Sequence, residues 1–378
     1  MKDCYDVIVV GAGLLGASAA FHSSKHYTTA LVEQESSPGY HSSSRSATVL
    51  LPTYGGPLAR ALTAASKEFL AGPPAGFCES DLMTPRGALF IAAPGQLDLL
   101  DQWGSARDTG IDAKTLTPMQ ALERVPILRA ERIAGAVLLP DVADLDATAL
   151  LQGYIKAFRA NSGELFLDAK VTSISRAAGV WVIETRAGVL RARALVNAAG
   201  AWADSIAEQA GTAPKGLTPT RRTMAVIRAP DSMDVRSWPL VVDAAETFYF
   251  KPDAGRLVLS PADRTEVPAQ DILPDEFDVA VAVDRLEAAT TMKVRRIEHQ
   301  WAGLRTFTSD DDPVIGFDSD VPDFLWVAGF GGFGVQACVG AGLCCEALLC
   351  RKPLPARLID LGLDLERLSP RRLVRRER

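Results

Sequence analysis

The feature that most constrains this chain is an unbroken apolar run, Asp6-Val-Ile-Val-Val10, that ends in Gly11-Ala-Gly13-Leu-Leu-Gly16. A continuous β-branched segment reads as a strand buried on both faces, the habit of parallel sheets. Ala17 to Ser24, rich in Ala and Ser, reads as a tightly packed helix, and Thr29 to Glu33 as a second strand ending in an acid. The segment is therefore a βαβ unit with its glycines where strand meets helix. Gly11 allows the tight turn, Gly13 lets backbone approach a pyrophosphate, and Gly16 lets helix and strand pack closely. The helix start offers free N–H groups and a positive dipole end to phosphates. Glu33, about 20 residues further on, is placed to accept from ribose hydroxyls.

The rest of the chain alternates helices with clustered strands. Helical patterns cover Ala59 to Leu70, Leu97 to Thr109, Met119 to Arg124 and Ala147 to Asn161, the last with Asp144 or Asp146 as cap. Strands are expected at Gly87 to Ala92, Glu164 to Ile174, Val180 to Thr185 and Leu190 to Val196. The last leads through Asn197-Ala-Ala-Gly200 into a helix from Ala201 to Ala210. Extended pieces follow at Thr223–Arg228, Leu240–Val242 and Thr247–Lys251, then a long amphipathic helix from Asp275 to Thr290. Phe324 to Gly329 is a strand entering the turn Gly329-Phe-Gly-Gly-Phe-Gly334, with a helix from Val335 to Leu349 behind it. Glycine turns of one type at both ends and in the middle imply a domain assembled from separated pieces of chain.

Composition excludes several classes of function. With 378 residues, 48% hydrophobic and 23% charged, the chain can bury a large core and is long enough for two domains, or for one domain with a second inserted into it. A net charge of −6 argues against a nucleic-acid partner. The basic tail Arg371, Arg372, Arg375, Arg376 and Arg378 reads as a frayed, solvated terminus, with a weak anionic contact as the alternative. Six cysteines lie at spacings that suit neither zinc nor a disulfide framework, so no metal is expected. Four of them fall in Val335 to Cys350, where buried reduced thiols are the default. No apolar run approaches the length of a membrane span and none reads as a signal peptide, so a cytoplasmic protein without an integral membrane segment is expected.

Three features favour FAD over NAD as the nucleotide. The acidic strand end is followed by Gly39-Tyr-His-Ser-Ser-Ser-Arg45-Ser46, a polar loop whose hydroxyls and Arg45 suit a second phosphate. Val196-Asn-Ala-Ala-Gly-Ala-Trp202 is a strand-to-helix turn almost without side chains, bare enough for a flavin to lie against backbone. Gly329 to Gly334 precedes a third helix start, whose positive end suits an anionic reduced flavin.

With these segments in place the chain resembles the glycine/D-amino-acid oxidase superfamily, most closely the bacterial D-arginine dehydrogenase branch. The resemblance runs from Asp6 to Pro370 and is carried by HSSSRSA (41–47), RALTAAS (60–66), PPAGFCE (73–79), VNAAGAWAD (196–204), FYFKPDAG (248–255), AATTMKVRR (288–296), WAGLRTF (301–307) and GGFGVQ (331–336). It implies an α/β fold: a Rossmann-like FAD-binding domain in three segments, 1–78, 142–217 and 303–378. An α+β substrate domain on an antiparallel sheet would comprise 79–141 and 218–302. It also implies noncovalent FAD, because relatives with covalent flavin carry a Cys where Thr306-Phe-Thr-Ser stands here. Cofactor positions implied beyond the first turn are Ser46, Val171, Ala199, Gly200, Trp202, Gly331, Gly332, Gly334, Val335 and Gln336, the last toward the flavin pyrimidine edge.

For the substrate, the resemblance singles out Arg222, Arg305, Tyr54 and Tyr249. A guanidinium suits a carboxylate because it grips it bidentately and stays charged, and a tyrosine hydroxyl can donate to a carboxylate or accept from an amine. Period-2 alternation sends Arg221 to the opposite face from Arg222. Tyr54 lies in Leu50-Leu-Pro-Thr-Tyr-Gly-Gly56, a loop suited to gating. None of the four histidines falls at a matched catalytic position, and His41, in the polar loop, is expected to make a structural or cofactor contact. Val49, Ala88 and Met224 are expected to line the pocket. Val49 and Ala88 stand where the D-arginine enzyme carries a histidine and the glutamate that pairs the substrate guanidinium. A cationic tail buried without a carboxylate loses several kcal/mol, so a neutral or apolar D-amino acid is expected. Asp243 and Glu246 read as solvated loop charge, with replacement of the missing acid as the alternative. The implied reaction moves a hydride from Cα to flavin N5, and the imino acid hydrolyses to a 2-oxo acid and ammonia, with oxygen or a quinone as acceptor. A glycine/sarcosine-type secondary-amine oxidase and a non-catalytic flavin-binding subunit are the competing readings.

Overall fold

The apolar run at the N-terminus becomes the strand Tyr5–Val10, and it lies inside a sheet, paired in parallel with Thr29–Val32 on one side and Gly188–Asn197 on the other. The protein is described by a computed structural model covering residues 4–104, 111–231 and 233–373. The eight-stranded sheet continues past Thr29–Val32 to Glu164–Phe166 at one edge. On the other side, Gly188–Asn197 splits its free edge between two neighbours. Val180–Thr185 takes the first half antiparallel and itself pairs with Val171–Ala177; Phe324–Ala328 takes the second half in parallel. Val314–Phe317 closes the set against Phe324–Ala328.

Helices Leu14–Ser24, Pro57–Ala71 and Gly334–Leu349 cover one face of this sheet. Small residues let them approach: a Cβ on Gly340 would lie 2.6 Å from the Leu62 carbonyl oxygen, and one on Gly342 would lie 2.3 Å from Ser18 Oγ. Cys338, Cys344 and Cys345 are free thiols buried in this layer. Burial pushes Cys338 and Cys344 up to about 12, so they pack as small neutral hydrophobes.

A nine-stranded sheet is built from residues 88–139 and 218–307. Its backbone is the long antiparallel pair Thr218–Arg228 and Ile297–Phe307, in register from Thr218 opposite Phe307 to Ile227 opposite Ile297. The order then runs through Arg256–Ser260, Tyr249–Asp253 and Leu240–Asp243 to Ala88–Ala92, Gly135–Leu139 and Lys114–Leu116. Leu240–Asp243 pairs with Ala88–Ala92 in parallel, which joins the two chain pieces. Helix Glu276–Ala289 packs on one face, with Asp275 capping it by accepting from Phe277 N at 2.9 Å. Three short strands, Val49–Leu50, Ala143–Leu145 and Met83–Pro85, form a small sheet between the two larger ones.

Three local expectations need correction. Glu164 to Ile174 is two strands at opposite edges of the first sheet, and the chain turns between them through Asp168 at φ 52°. The helix expected from Leu97 to Thr109 begins as a 3-10 turn, Leu97–Leu100, followed by Asp101–Gly104; its remainder lies outside the described residues. The basic tail is anchored at its start: Arg372 Nε donates to Asp310 Oδ2 at 2.8 Å, and Nη2 to the Asp312 carbonyl at 2.6 Å. The later arginines lie outside the described residues. No helix among the described residues is long and apolar enough to cross a membrane. Nor do the described residues bring together three His, Cys, Asp or Glu side chains able to hold a metal ion.

Candidate active site

A cleft of about 600 Å³ opens where the strand ends of the first sheet meet the start of the second. The first glycine turn forms one wall. Gly11 sits at φ 99°, and a Cβ there would lie 2.5 Å from the Ala198 carbonyl oxygen; one on Gly16 would lie 1.8 Å from Gly11 O. Neither position admits a side chain, so turn and helix close on each other as the glycine pattern requires. Gly13 lines the cleft instead, beside Ser43, whose Oγ accepts from Leu14 N at 3.0 Å.

Glu33 also lines the cleft. Its Oε2 accepts from Ala12 N at 2.7 Å and its Oε1 from Glu35 N at 3.1 Å, so the acid ties the second strand to the first turn. Burial raises its carboxyl above the ordinary value, against the pull of these N–H groups. Ser46, Val171, Ala199, Gly200 and Trp202 face the same space, as do Gly331, Gly332, Gly334 and Val335. His41 Nε2 donates to Glu35 Oε1 at 2.9 Å and its ring lies 4.6 Å from the Trp202 ring, a contact that shapes the cleft wall.

Two expected cofactor contacts are engaged elsewhere. Arg45 borders the cleft, but its Nη1 pairs with Asp271 at 2.7 Å and donates to the Ile272 and Ala302 carbonyls, while Nε donates to the Tyr40 carbonyl. The guanidinium thus folds its own loop onto the second sheet. Gln336 is buried, accepts from Leu51 N at 2.8 Å, and donates to Leu51 O at 3.2 Å and Thr63 Oγ1 at 3.0 Å. Its amide clamps the loop after Val49–Leu50 onto two helices.

A second cavity of about 90 Å³ adjoins the cleft, and Ser46, Arg222, Arg305, Gly332 and Val335 line both. The long strand pair places the two arginines: Arg222 stands opposite Gly303 and Arg305 opposite Thr220, so both point from one face, diagonally adjacent. Arg221 points the other way, to Asp275 at 3.2 Å and Asp278 at 2.8 Å. Arg222 and Arg305 have no such partner: among the described residues neither lies within ion-pair distance of a carboxylate, and Arg222 Nε has no hydrogen bond. Arg305 Nη1 donates to Tyr54 Oη at 3.4 Å. Burial and the neighbouring Arg305 charge lower the Arg222 guanidinium from its ordinary value. Two adjacent guanidiniums without a direct ion-pair partner, with tyrosine hydroxyls beside them, form a receptor for an anion even though Asp263 acts on both from further off.

Val49, Tyr54 and Tyr249 line this second cavity, but Ala88 and Met224 do not. Ala88 shares a face with Phe90, yet its methyl is fully enclosed between Leu139 and Leu240 on the flanking strands. Met224 lies behind Tyr249, accepting from its hydroxyl through Sδ at 3.3 Å. Glu246 reaches the cavity rim, whereas Asp243 is consumed by Thr247 Oγ1 at 2.5 Å. Sequence reasoning missed Phe90, Trp103, Leu240 and Val242 on the cavity wall, and Lys170, Arg186 and Gln209 on the cleft, none of which carries a motif. Ser43 belongs to the hydroxyl-rich loop read as suited to a phosphate, and it lines the cleft.

The bare turns, the acid and the helix starts around the cleft fit a dinucleotide, and enclosed Gln209 Oε1 has no donor among the described residues. The sequence matches the FAD dependent oxidoreductase (DAO) family over residues 6–348. It is 28% identical over 337 residues to the glycine oxidase of Geobacillus kaustophilus (strain HTA426), covering 84% of this chain and 85% of that one. The crystal structure of glycine oxidase from Geobacillus kaustophilus superposes with a TM-score of 0.84 at 23% identity, covering 97% of this chain and 98% of that one. L-alpha-glycerophosphate oxidase from Mycoplasma pneumoniae, solved with FAD bound, gives 0.82 at 17% identity, covering 93% and 95%. At these identities the superpositions speak for the fold. The match over most of the sequence, on a cleft built for a dinucleotide, makes the chain a member of the FAD-dependent oxidoreductase (DAO) family, with FAD as its cofactor.

Proposed function

We propose that this protein oxidatively deaminates a neutral or apolar amino acid, of the D series by the resemblance described above, to a 2-oxo acid and ammonia. The observation that carries the reading is the Arg222–Arg305 pair, two half-buried guanidiniums with no carboxylate at ion-pair distance among the described residues, at the junction of the cofactor cleft and a small cavity. The substrate carboxylate supplies the missing charge. Tyr54 and Tyr249 flank the same point, so one hydroxyl can donate to the carboxylate while another accepts from the amine. FAD, when bound, supplies a two-electron acceptor. The chain's own residues orient the Cα–H, and the loop 51–56, clamped by Gln336, limits water. No strong base is required, because a neutral amine drives loss of the α-hydrogen with its own lone pair and its surplus proton leaves to solvent.

Anaerobic titration of the flavin with D-, L- and N-methyl amino acids tests this. Bleaching by D-amino acids supports it; bleaching by the L hand alone overturns the D assignment, and a flavin that no amino acid bleaches refutes the whole reading. Peroxide release during turnover assigns oxygen as the acceptor, and its absence with a quinone-supported rate assigns a quinone. A second reading, oxidation of glycine or a secondary amine such as sarcosine, draws support from the similarity to glycine oxidase. N-methyl substrates that outpace primary amines would establish it.

A further inference from the structure

The small cavity has an end away from the arginines, and nothing in the reaction above uses it. Phe90, on Ala88–Ala92, and Trp103, in Asp101–Gly104, stack with ring centroids 4.0 Å apart and planes 18° apart. Leu240 and Val242 stand on the adjoining strand, Val242 opposite Phe90, and Leu51 closes the wall from the loop. Phe90 and Trp103 are almost wholly buried, so this wall is part of the packed core. Among the described residues no charged side chain belongs to it. Glu246 stands at the rim, exposed, held at φ 55°, and without an ion-pair partner among the described residues.

Size adds a second constraint. The cavity measures about 90 Å³, on a scale where one water takes roughly 10–15 Å³, so it holds about six to nine non-hydrogen atoms. With its head held at the arginines, glycine sends no side chain into this space and leaves it empty or wet against an apolar wall. A leucine side chain, with about four carbons, occupies roughly half of it and a phenylalanine side chain, with about seven, fills it, replacing that water by carbon.

We infer that the substrate carries a bulky apolar side chain, branched or aromatic, and that the Phe90–Trp103 wall selects it. This rests on the amino-acid reading above: Arg222 and Arg305 hold the head, and the wall measures the tail. Each methylene group seated in such a wall is worth on the order of 10-fold in specificity. Leucine or phenylalanine of the preferred hand is therefore expected to reduce the flavin at least ~100-fold more efficiently than glycine.

The test is anaerobic stopped-flow reduction of the holoenzyme by both hands of leucine, phenylalanine, alanine and lysine, with glycine and sarcosine. Trp103→Ala and Trp103→Phe are compared after their flavin content is measured. The expected result is a preference for leucine or phenylalanine that falls about 10-fold or more relative to alanine in Trp103→Ala. The loss should lie in the substrate dissociation constant, with little change in the limiting rate, and Trp103→Phe should keep the preference. Should Trp103→Ala lose its flavin, the substrate series and Trp103→Phe decide. Glycine or sarcosine equal to leucine overturns the inference, as does a leucine-to-alanine ratio untouched in Trp103→Ala. Lysine as best substrate overturns it in favour of Glu246 as the reader of the tail. If neither hand of any amino acid reduces the flavin, the amino-acid reading fails first and takes this one with it.

Discussion

Gly332 lies between the two groups proposed to position the substrate, which makes Gly332→Ala a sharp perturbation. A Cβ there would stand 2.7 Å from Arg305 Nη1 and 2.9 Å from Tyr54 Oη. The residue does not have a left-handed φ, so alanine adds no backbone strain and the effect falls on those two side chains. Ordinary contact starts near 3.4 Å, so the guanidinium must retreat by about 0.7 Å and the hydroxyl by about 0.5 Å. A displacement approaching 1 Å in an orienting group costs on the order of 10²-fold. Gly332→Ala should therefore reduce its flavin roughly 10- to 100-fold more slowly at low substrate. Absorbance gives flavin content, thermal unfolding gives stability, and anaerobic stopped flow gives the rate. Wild-type reduction by a fully flavinated Gly332→Ala would refute the positioning role of Arg305 and Tyr54. Gly331→Ala is the contrasting control: at φ 46°, with the Phe307 ring 2.4 Å from the new Cβ, it should damage folding or flavin retention outright.

Arg305→Met removes charge-assisted hydrogen bonds worth about 1.5–3 kcal/mol, so substrate or a carboxylate inhibitor should bind roughly 10- to 150-fold more weakly. Arg305→Lys should restore only part of this, since an ammonium cannot fork; full restoration in binding titrations would contradict the bidentate reading. Gln336→Leu strips the Leu51 N–H and C=O of buried partners, each worth about 1–3 kcal/mol. Its melting temperature should fall by several degrees, and an unchanged melting curve would show the clamp to be unimportant. Burial acts to raise the Asp318 carboxyl, but the Trp326 indole N–H, the Asp320 N–H and Lys215 bring it down to about 2 from an ordinary 3.8. A folded pKa below the unfolded one stabilises the fold above the unfolded value, and that gain is lost as pH falls toward 2. Denaturant unfolding between pH about 6 and 2 should therefore show a slope that Asp318→Asn flattens; equal slopes would refute it.

Local rules made some of the site legible in sequence. The strand before Gly11, the turn itself and Glu33 lie within one supersecondary unit, so their spacing alone reports the geometry. Arg222 was separable from Arg221 because a long antiparallel strand obeys period 2 without a bulge near that point. Long-range contacts were not legible. Phe90 and Trp103 come together because the chain folds back after Ala88–Ala92, and neither carries a motif. Ala88 had the correct face but too short a side chain to reach the cavity. Arg45 and Gln336 were read as cofactor ligands because their types suit that task; partners at Asp271 and Leu51, far off in sequence, claimed them. Glu164 to Ile174 has an unbroken strand-like composition, and only the turn at Asp168 reveals that it feeds both edges of one sheet.

The ladder between Thr218–Arg228 and Ile297–Phe307 carries both arginines, while Phe90, Trp103 and Leu240 belong to other pieces of chain. The two proposed ends of a substrate thus meet different strands of one sheet. A one-residue slip of either strand would turn its arginine to the opposite face and break the pair, so the anion end tolerates no gradual change. The wall is free to change a side chain at a time. Such a protein can diverge toward new tails while its demand for an anionic head stays fixed, which makes a family with one head group and many substrates the expected outcome of drift.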